Sequence, residues 1–396
     1  MRILFLMFVF PDMNKSFNMY TALVEEFSKN NHEVIVVAPA FENQKTGLKK
    51  EKNLEILRVK TLPIKNVPNY IKGISNLLLP AQFYKAINKF YSGMKFDLII
   101  TPTPPITLVD LAAKIKKKQG SKLYLFLRDI FPQNAVDLGI LTKGSIIYTF
   151  FRKKEKKLYK LADSIGCMSQ GNIEYILMNN PFIDREKLHI AHNLQFKNDN
   201  FQIRSNQIKQ KYNLENKFVA VFGGNMGKSQ QLENILALAK ACEKYKDVVF
   251  LLLGEGLQKL QIEKDIKSKG IKNIILTDTI PKSEYQELIS ACHIGLISLH
   301  ECFTIPNIPS KTLDYFNLGI PVLASIDKAT DYNKYLDEAK AGLWSYAGDL
   351  EEFKNNFETL YFNPALRNEM GKNGRIFFEK FLTPDKAYQT IVDHLN

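Results

Sequence analysis

VAVFGGNMGKSQQLENIL, residues 219–236, reads in order as a buried strand, a glycine-rich turn and an amphipathic helix. A β-branched apolar run carried by a tight turn into a helical period is the opening of a parallel βαβ unit. Gly223, Gly224 and Gly227 let backbone amides approach an anion at the helix start, with Asn225 between them and Lys228 adding positive charge. The loop is not of the Walker type, which would need a glycine where Phe222 stands. The same residues also read as a plain strand-to-helix turn with a surface lysine.

The pattern repeats outward in both directions. Apolar runs at 218–222, 248–253, 273–276, 294–299 and 321–325 alternate with helical periods near 229–245, 257–269, 282–292 and 310–318. Upstream, runs at 2–10, 33–38, 96–101, 122–127, 164–168 and 188–191 alternate with helices at 18–30, 106–118, 144–162 and 171–179. That is how parallel α/β sheets read. The polar stretch QFKNDNFQIRSNQ, 195–207, interrupts the alternation, and beyond Ala347 only helical periods remain, at 350–361, 364–380 and 383–395. The expected fold is α/β, with two doubly wound Rossmann-like domains at 1–198 and 199–380. A helical C-terminal tail, 381–396, folds back to complete the first domain. Doubly wound sheets bind ligands at the carboxyl ends of their strands. Two such domains facing a cleft would present their chemistry in those loops.

Composition narrows the class. With 396 residues, 45% hydrophobic and 24% charged, the chain is neither disordered nor a small stapled scaffold. Its four cysteines are scattered without a CxxC pair, which argues against a disulfide framework and a cysteine zinc site and fits a reducing cytosol. No apolar run is long enough to span a bilayer. MRILFLMFVF lacks a small-residue cleavage site and reads as a buried first strand rather than a signal peptide. Net charge is +13, and residues 1–200 carry all of it, with 30 basic and 17 acidic side chains against 24 of each in 201–396. A lysine bias, 46 Lys to 8 Arg, explains the total but not the asymmetry. The first half is therefore expected to face something anionic, and the absence of a nucleic-acid module favours a membrane surface. In GSIIYTFFRKKEKKLYKLADS, 144–164, the residues Ile146, Ile147, Phe150, Phe151, Leu158 and Leu161 make an apolar stripe beside Arg152, Lys153, Lys154, Lys156 and Lys157. A second basic cluster, Lys114 to Lys118, ends another helix. The stripe suits either docking on anionic lipid or packing into the domain core.

Three more loops belong with 219–236. LLLGEG, 251–256, ends a strand with Gly254, Glu255 and Gly256. TDTIPKSEY, 277–285, leaves the backbone of Thr279 and Ile280 open to a planar ligand before Pro281 starts a helix. TIPNIPSKTLDYFNLGIPVLAS, 304–325, places Ser310 after Pro309 to cap a helix, Lys311 beside it to meet phosphate, and Asp314 one turn on to accept from ribose hydroxyls. Each loop taken alone is also an ordinary turn or capped helix.

The order GGNMGK, LLLGEG, DTIPKSEY, IPSKTLDYFNLGIPV resembles the donor domain of retaining GT-B glycosyltransferases of the family-4 type. The likeness extends through NNHEVIVVAP (30–39), FDLIITPTPP (96–105) and LFLRDIFPQNAVDLGIL (125–141), the last similar to bacterial transferases that build capsule or O-antigen repeat units. The resemblance implies that Gly224 and Lys228 bind a donor diphosphate, that Glu255 and Ile280 lie near the base, that Ser310 and Lys311 meet pyrophosphate and sugar, and that Asp314 holds the ribose. The family's paired glutamates are changed: the second position is Asp314 and the first falls on Pro306. A histidine common near the reacting centre is replaced by Arg128 and Asp129, as a phosphate holder and as a group that orients or deprotonates an acceptor, or as a structural pair that fixes the loop. The glycine-rich first loop of relatives is absent from FPDMNKSFNMY, 10–20.

No Asp-x-Asp motif occurs and the six histidines form no ligand set; His189 and His192, three apart, should face opposite sides of a strand. The expected enzyme is metal-independent, with no cofactor: the nucleotide sugar is a substrate, UDP-linked by preference. The acceptor implied is polyprenyl-diphosphate-linked, the sugar a hexose or N-acetylhexosamine, and the site of action the cytoplasmic face of the membrane, bound peripherally. The rivals are a UDP-sugar 2-epimerase of the same architecture and a noncatalytic, membrane-associated sugar-nucleotide-binding protein.

Overall fold

Each half of the chain builds its own sheet in the computed structural model, which describes residues 1–42, 44–63, 67–199 and 206–395. The first compact unit comprises residues 1–196 and the chain from Pro384 onward, and the second comprises Lys197–Thr383.

In the first unit the strands are β1 (Arg2–Leu6), β2 (Glu33–Pro39), β3 (Gly47–Glu51), β4 (Leu54–Val59), β5 (Leu98–Pro102), β6 (Lys122–Phe126), β7 (Ser164–Cys167) and β8 (Leu188–Ile190). They are ordered β3-β4-β2-β1-β5-β6-β7-β8. All pairs are parallel except β3 with β4. Strand order reverses between β1 and β5, so the loops after these strands flank the switch point. The sheet's core, including Phe5, Val36, Ile100 and Phe126, is closed by the helix Met19–Lys29 and by Ala387 and Ile391 of the helix Pro384–Asp393. That last helix is fastened at its middle and just past its C-terminus. His32 Nε2 lies 2.9 Å from Tyr388 Oη, the His394 ring stacks on His189 at 3.7 Å, and Lys122 donates to the Leu395 carbonyl.

The second unit has β9 (Phe218–Gly223), β10 (Val248–Leu253), β11 (Ile274–Thr277), β12 (Ile294–Ser298), β13 (Val322–Ile326) and β14 (Gly342–Tyr346). Their order is β11-β10-β9-β12-β13-β14, wholly parallel, with its switch point between β9 and β12. The fully buried run FVAVFG of β9 is the centre of that sheet, as an apolar strand covered on both faces must be.

Several elements depart from the sequence expectation. β1 stops at Leu6, and Met7, Phe10 and Met13 reach the core from a loop instead. The hairpin β3–β4, the helix Asn69–Phe90, the helix Tyr332–Ala339 and β14 were not expected. β3 is a lysine-bearing edge strand without an apolar face, and the long helix carries Gly73 and Pro80, so each hides its period behind breakers.

Candidate functional site

The carboxyl ends of β9, β10 and β11 surround a cavity of about 430 Å³. Gly223 lines it from the last residue of β9, Gly224, Asn225 and Gln230 from the loop that follows, and Leu253 and Gly254 from β10 and its end. Thr279, Ile280 and Tyr285 line it from the β11 side, and Ser310, Lys311 and Asp314 from the start of the helix Lys311–Asn317. The floor depends on backbones in contact. Gly254 sits at φ +148°, and a Cβ there would stand 1.9 Å from the Gly224 carbonyl oxygen. No side chain fits that approach. Tyr285 closes one wall by lying over Gly223, where a Cβ would come within 2.4 Å of its phenolic oxygen.

The polar chemistry gathers around Lys311. Its Nζ donates to Gln230 Oε1 at 2.7 Å and lies 4.6 Å above the centre of the Phe222 ring. Burial pushes the amine down to about 8, and the Asp314 carboxylate opposes that shift. The cavity therefore offers an anion one ammonium and a helix start, with a carboxylate one turn further along, while the Gly224 and Gly254 amides already donate to the carbonyls of Leu253 and Thr277.

Nine of the expected donor-site residues meet there: Gly223, Gly224, Asn225, Gly254, Thr279, Ile280, Ser310, Lys311 and Asp314. Four do not line it. Glu255 is exposed and accepts a hydrogen bond from Thr279 Oγ1 at 3.1 Å, which leaves it beside the cavity. Pro281 is the N-cap of the helix Lys282–Ser290, and Pro309 is buried. Lys228 needs correction as a helix-start cation. The chain forms a 3-10 turn, Lys228–Gln230, and a left-handed residue, Gln231 at φ +36°, before the helix Glu233–Ala241 begins, and Lys228 is exposed. Ser310 also needs correction as a cap: it occupies the N-cap position with helical angles and its side chain makes no capping bond. Gln230, Leu253 and Tyr285 were missed. Gln230 stands in a polar SQQ run without a signature, whereas Tyr285, one turn after Pro281, lies on the side of its helix that faces back over the loop.

In the first unit, Arg128 and Asp129 follow β6. Arg128 stacks its guanidinium on Phe126 at 3.5 Å and donates to the carbonyls of Ala191 (2.7 Å) and Gly166 (3.2 Å) and to Asn193 Oδ1 (3.1 Å). It therefore binds together the ends of β7 and β8, as the loop-fixing alternative expects, through three bonds to the protein. Asp129 is different. Thr103 Oγ1 donates to its carbonyl at 3.0 Å and accepts its amide at 3.2 Å. Burial raises the carboxyl to about 6, against hydrogen bonds from the Asn134 side chain and the Ile130 amide. No ion pair joins Arg128 to Asp129 among the described residues. A carboxyl that titrates near neutrality can both accept and return a proton.

The apolar stripe of the helix Ile146–Leu161 divides in two. Leu158 is buried and Phe151 packs edge-on to Phe131 at 5.0 Å, whereas Ile146 (89% exposed), Ile147 and Phe150 face solvent. Lys154 and Lys157 are paired with Asp110, while Lys153, Lys156 and Lys160 are exposed. Among the described residues no group of three or more His, Cys, Asp or Glu is arranged to hold a metal ion, and no helix is long and apolar enough to cross a membrane.

Residues 204–377 match the family model described as glycosyl transferases group 1, and residues 18–194 the one described as glycosyltransferase family 4. Probable glycosyltransferase WbjE of Pseudomonas aeruginosa is 26% identical over 251 residues, 62% of this chain. The match spans 61% of that relative's length. Sucrose-phosphate synthase from Thermosynechococcus elongatus superposes with a TM-score of 0.77 at 14% identity, covering 99% of this chain and 98% of that one. Anabaena HepE in complex with UDP-glucose superposes with a TM-score of 0.73 at 15% identity, covering 100% and 99%. At such identities the likeness speaks for the architecture: two Rossmann-like domains with a helical C-terminal region, the GT-B fold.

Proposed function

We propose that this GT-B chain is a glycosyltransferase that moves a hexosyl or N-acetylhexosaminyl group, with retention, from a UDP-linked sugar to a polyprenyl-diphosphate-linked acceptor in surface polysaccharide assembly. The observation that carries the reading is the cavity at the ends of β9, β10 and β11, where the Lys311 ammonium, the Gly224 backbone and the Asp314 carboxylate converge. Such a set suits a nucleoside diphosphate: the cation meets phosphate and the carboxylate accepts from ribose hydroxyls. Support comes from HepE, which has been crystallised with UDP and with UDP-glucose, and from the glycosyltransferase description of WbjE.

In this reading the bond between the anomeric carbon and the β-phosphate oxygen breaks, a bond from that carbon to the acceptor oxygen forms on the same face, and Lys311 stabilises the charge that gathers on the departing diphosphate. Asp129 of the first unit orients the acceptor hydroxyl or takes up its proton. The exposed Ile146, Ile147 and Phe150, with the lysines further along the same helix, bring the enzyme to the inner membrane face where a lipid-linked acceptor resides. The purified protein with UDP-sugars tests the reading. Slow release of UDP and sugar supports it, epimer formation makes the protein a 2-epimerase, and binding without turnover makes it a noncatalytic binder.

A further inference from the structure

Lys311 is held by an amide, not by an acid. Among the described residues its ammonium makes one hydrogen bond, the 2.7 Å bond to Gln230 Oε1, and no ion pair. Asp314 acts on it only through its field. Three surfaces fix the lysine's course. The Phe222 ring lies beneath the ammonium, Gly224 leaves open the space beside the stem, and Gln230 stands at its end. A Cβ on Gly224 would stand 3.3 Å from Lys311 Cε, at a backbone φ of +122° that already excludes most side chains.

Gln230 is itself tied down. Its Nε2 lies 3.3 Å from Ser229 Oγ, and since an ammonium can only donate, the amide oxygen must be the atom that faces Lys311. The turn that carries it is clasped by the end of β12 and the residues that follow. His300 N donates to Ser229 O at 3.0 Å, Ser298 Oγ to Gln231 O at 2.9 Å, and Glu301 N to Gln231 Oε1 at 2.9 Å.

We propose that Gln230 is a positioning residue for the donor site: its neutral oxygen aims the Lys311 ammonium into the cavity while leaving the full positive charge for a diphosphate. This rests on the reading of the cavity as a nucleotide-sugar site. A carboxylate in the same place would also hold the lysine, but it would cancel the charge and repel phosphate. An apolar residue would leave a half-buried ammonium with one fewer acceptor and free to rotate away. A neutral acceptor meets both requirements.

The test compares wild type, Gln230→Ala, Gln230→Glu and Lys311→Ala, all checked for native melting. Two quantities are read: UDP affinity by calorimetry, and the pH dependence of Lys311 acetylation in the apo protein by mass spectrometry. We expect Gln230→Ala to weaken UDP binding about tenfold or more through loss of a hydrogen bond to a charged group, and Gln230→Glu to weaken it by a similar factor through cancelled charge and repulsion of phosphate. The Lys311 titration should move down in Gln230→Ala and up in Gln230→Glu. That opposed movement, with affinity falling in both, separates aiming of a charge from mere packing. Unchanged UDP affinity in both variants, or weakened affinity with an unmoved Lys311 titration, overturns the proposal. If wild type binds no UDP, the nucleotide reading falls, and the titration still judges the pair: opposed shifts support Gln230 as the group that sets the lysine, and no shift overturns it.

Discussion

Arg58 grips Glu51 through two parallel hydrogen bonds, Nε to Oε1 and Nη2 to Oε2, each 2.7 Å, with both side chains out of solvent. The same guanidinium donates to the carbonyls of Phe10 (2.7 Å) and Pro11 (2.9 Å), and Glu51 Oε2 accepts the Met13 amide at 3.0 Å. The loop at the carboxyl end of β1 is therefore shaped by a buried ion pair from the β3–β4 hairpin. Glycines are not needed where carbonyls and an amide are held from outside.

Removing one partner strands the other. Arg58→Met should destabilise the first unit by about 3–5 kcal/mol, because the Glu51 carboxylate stays buried without compensation. The double substitution Arg58→Met, Glu51→Met should recover much of that loss. Urea denaturation of wild type, Arg58→Met, Glu51→Met and the double variant checks this, and an additive double mutant would show that the pair is not coupled.

How much of this was legible beforehand follows from the same residues. The alternation that placed β9, β10 and β12 is written in apolar runs that survive any context, and so was read correctly. The ion pair was not legible. Glu51 and Arg58 stand in EKNLEILR, which reads as polar surface until the hairpin turns both inward. Likewise Lys311 announced itself beside a proline-bounded loop, while Gln230, 81 positions earlier, became its partner only through tertiary contact. Lys228 misled because its sequence looks like a helix start, and a 3-10 turn displaces it.

The two lysines should now behave differently. Lys311→Ala is expected to lower kcat about 10²-fold or more, as loss of one electrostatic donor to a leaving group does. Lys228→Ala should change turnover by less than about threefold, since an exposed charge outside the cavity is screened. Steady-state kinetics on both decide it, and equal losses would return Lys228 to the phosphate site. Turnover should also persist in excess EDTA, and complete loss restored by one divalent ion would reveal a metal site.

Asp129→Asn separates function from stability. The native carboxyl titrates near 6, above the roughly 3.9 of an unfolded chain, so the fold holds its proton more tightly. Stability from this group is full below about pH 4 and declines as pH rises through 6. Asparagine removes the burial penalty, and the variant should be more stable than wild type by roughly 1–3 kcal/mol above pH 6, with the difference vanishing near pH 4. Donor binding should remain and transfer should fall. Unchanged transfer would reduce the residue to a structural part.

His189 has the opposite sign. Burial, with help from His394 and Arg128, depresses it to about 3, against roughly 6.5 unfolded. It is buried neutral between the Tyr124 hydroxyl and the His394 ring, so its stability contribution is present above about pH 6.5 and is lost as pH falls toward 3. His189→Gln should flatten the acid limb of a pH–melting curve. An unaltered limb would place acid sensitivity elsewhere.

Membrane docking is the last expectation, and the structure narrows which residues carry it. The buried Leu158 and the packed Phe151 cannot meet lipid, which leaves Ile146, Ile147 and Phe150 as the apolar contact and Lys153, Lys156 and Lys160 as the exposed charges. Lys154 and Lys157 are engaged by Asp110, so replacing them would free a carboxylate as well as remove charge. Each exposed lysine near an anionic surface is worth about 1 kcal/mol. Sedimentation with phosphatidylglycerol-containing vesicles should therefore show binding that weakens with salt and falls about 10²-fold when Lys153, Lys156 and Lys160 become Ser. Replacing Ile146 and Phe150 by Ser should weaken the binding that persists at high salt, because burial of apolar surface is not screened. Equal binding to neutral vesicles, or none at low salt, would remove the docking surface while leaving the donor cavity and its lysine as they are.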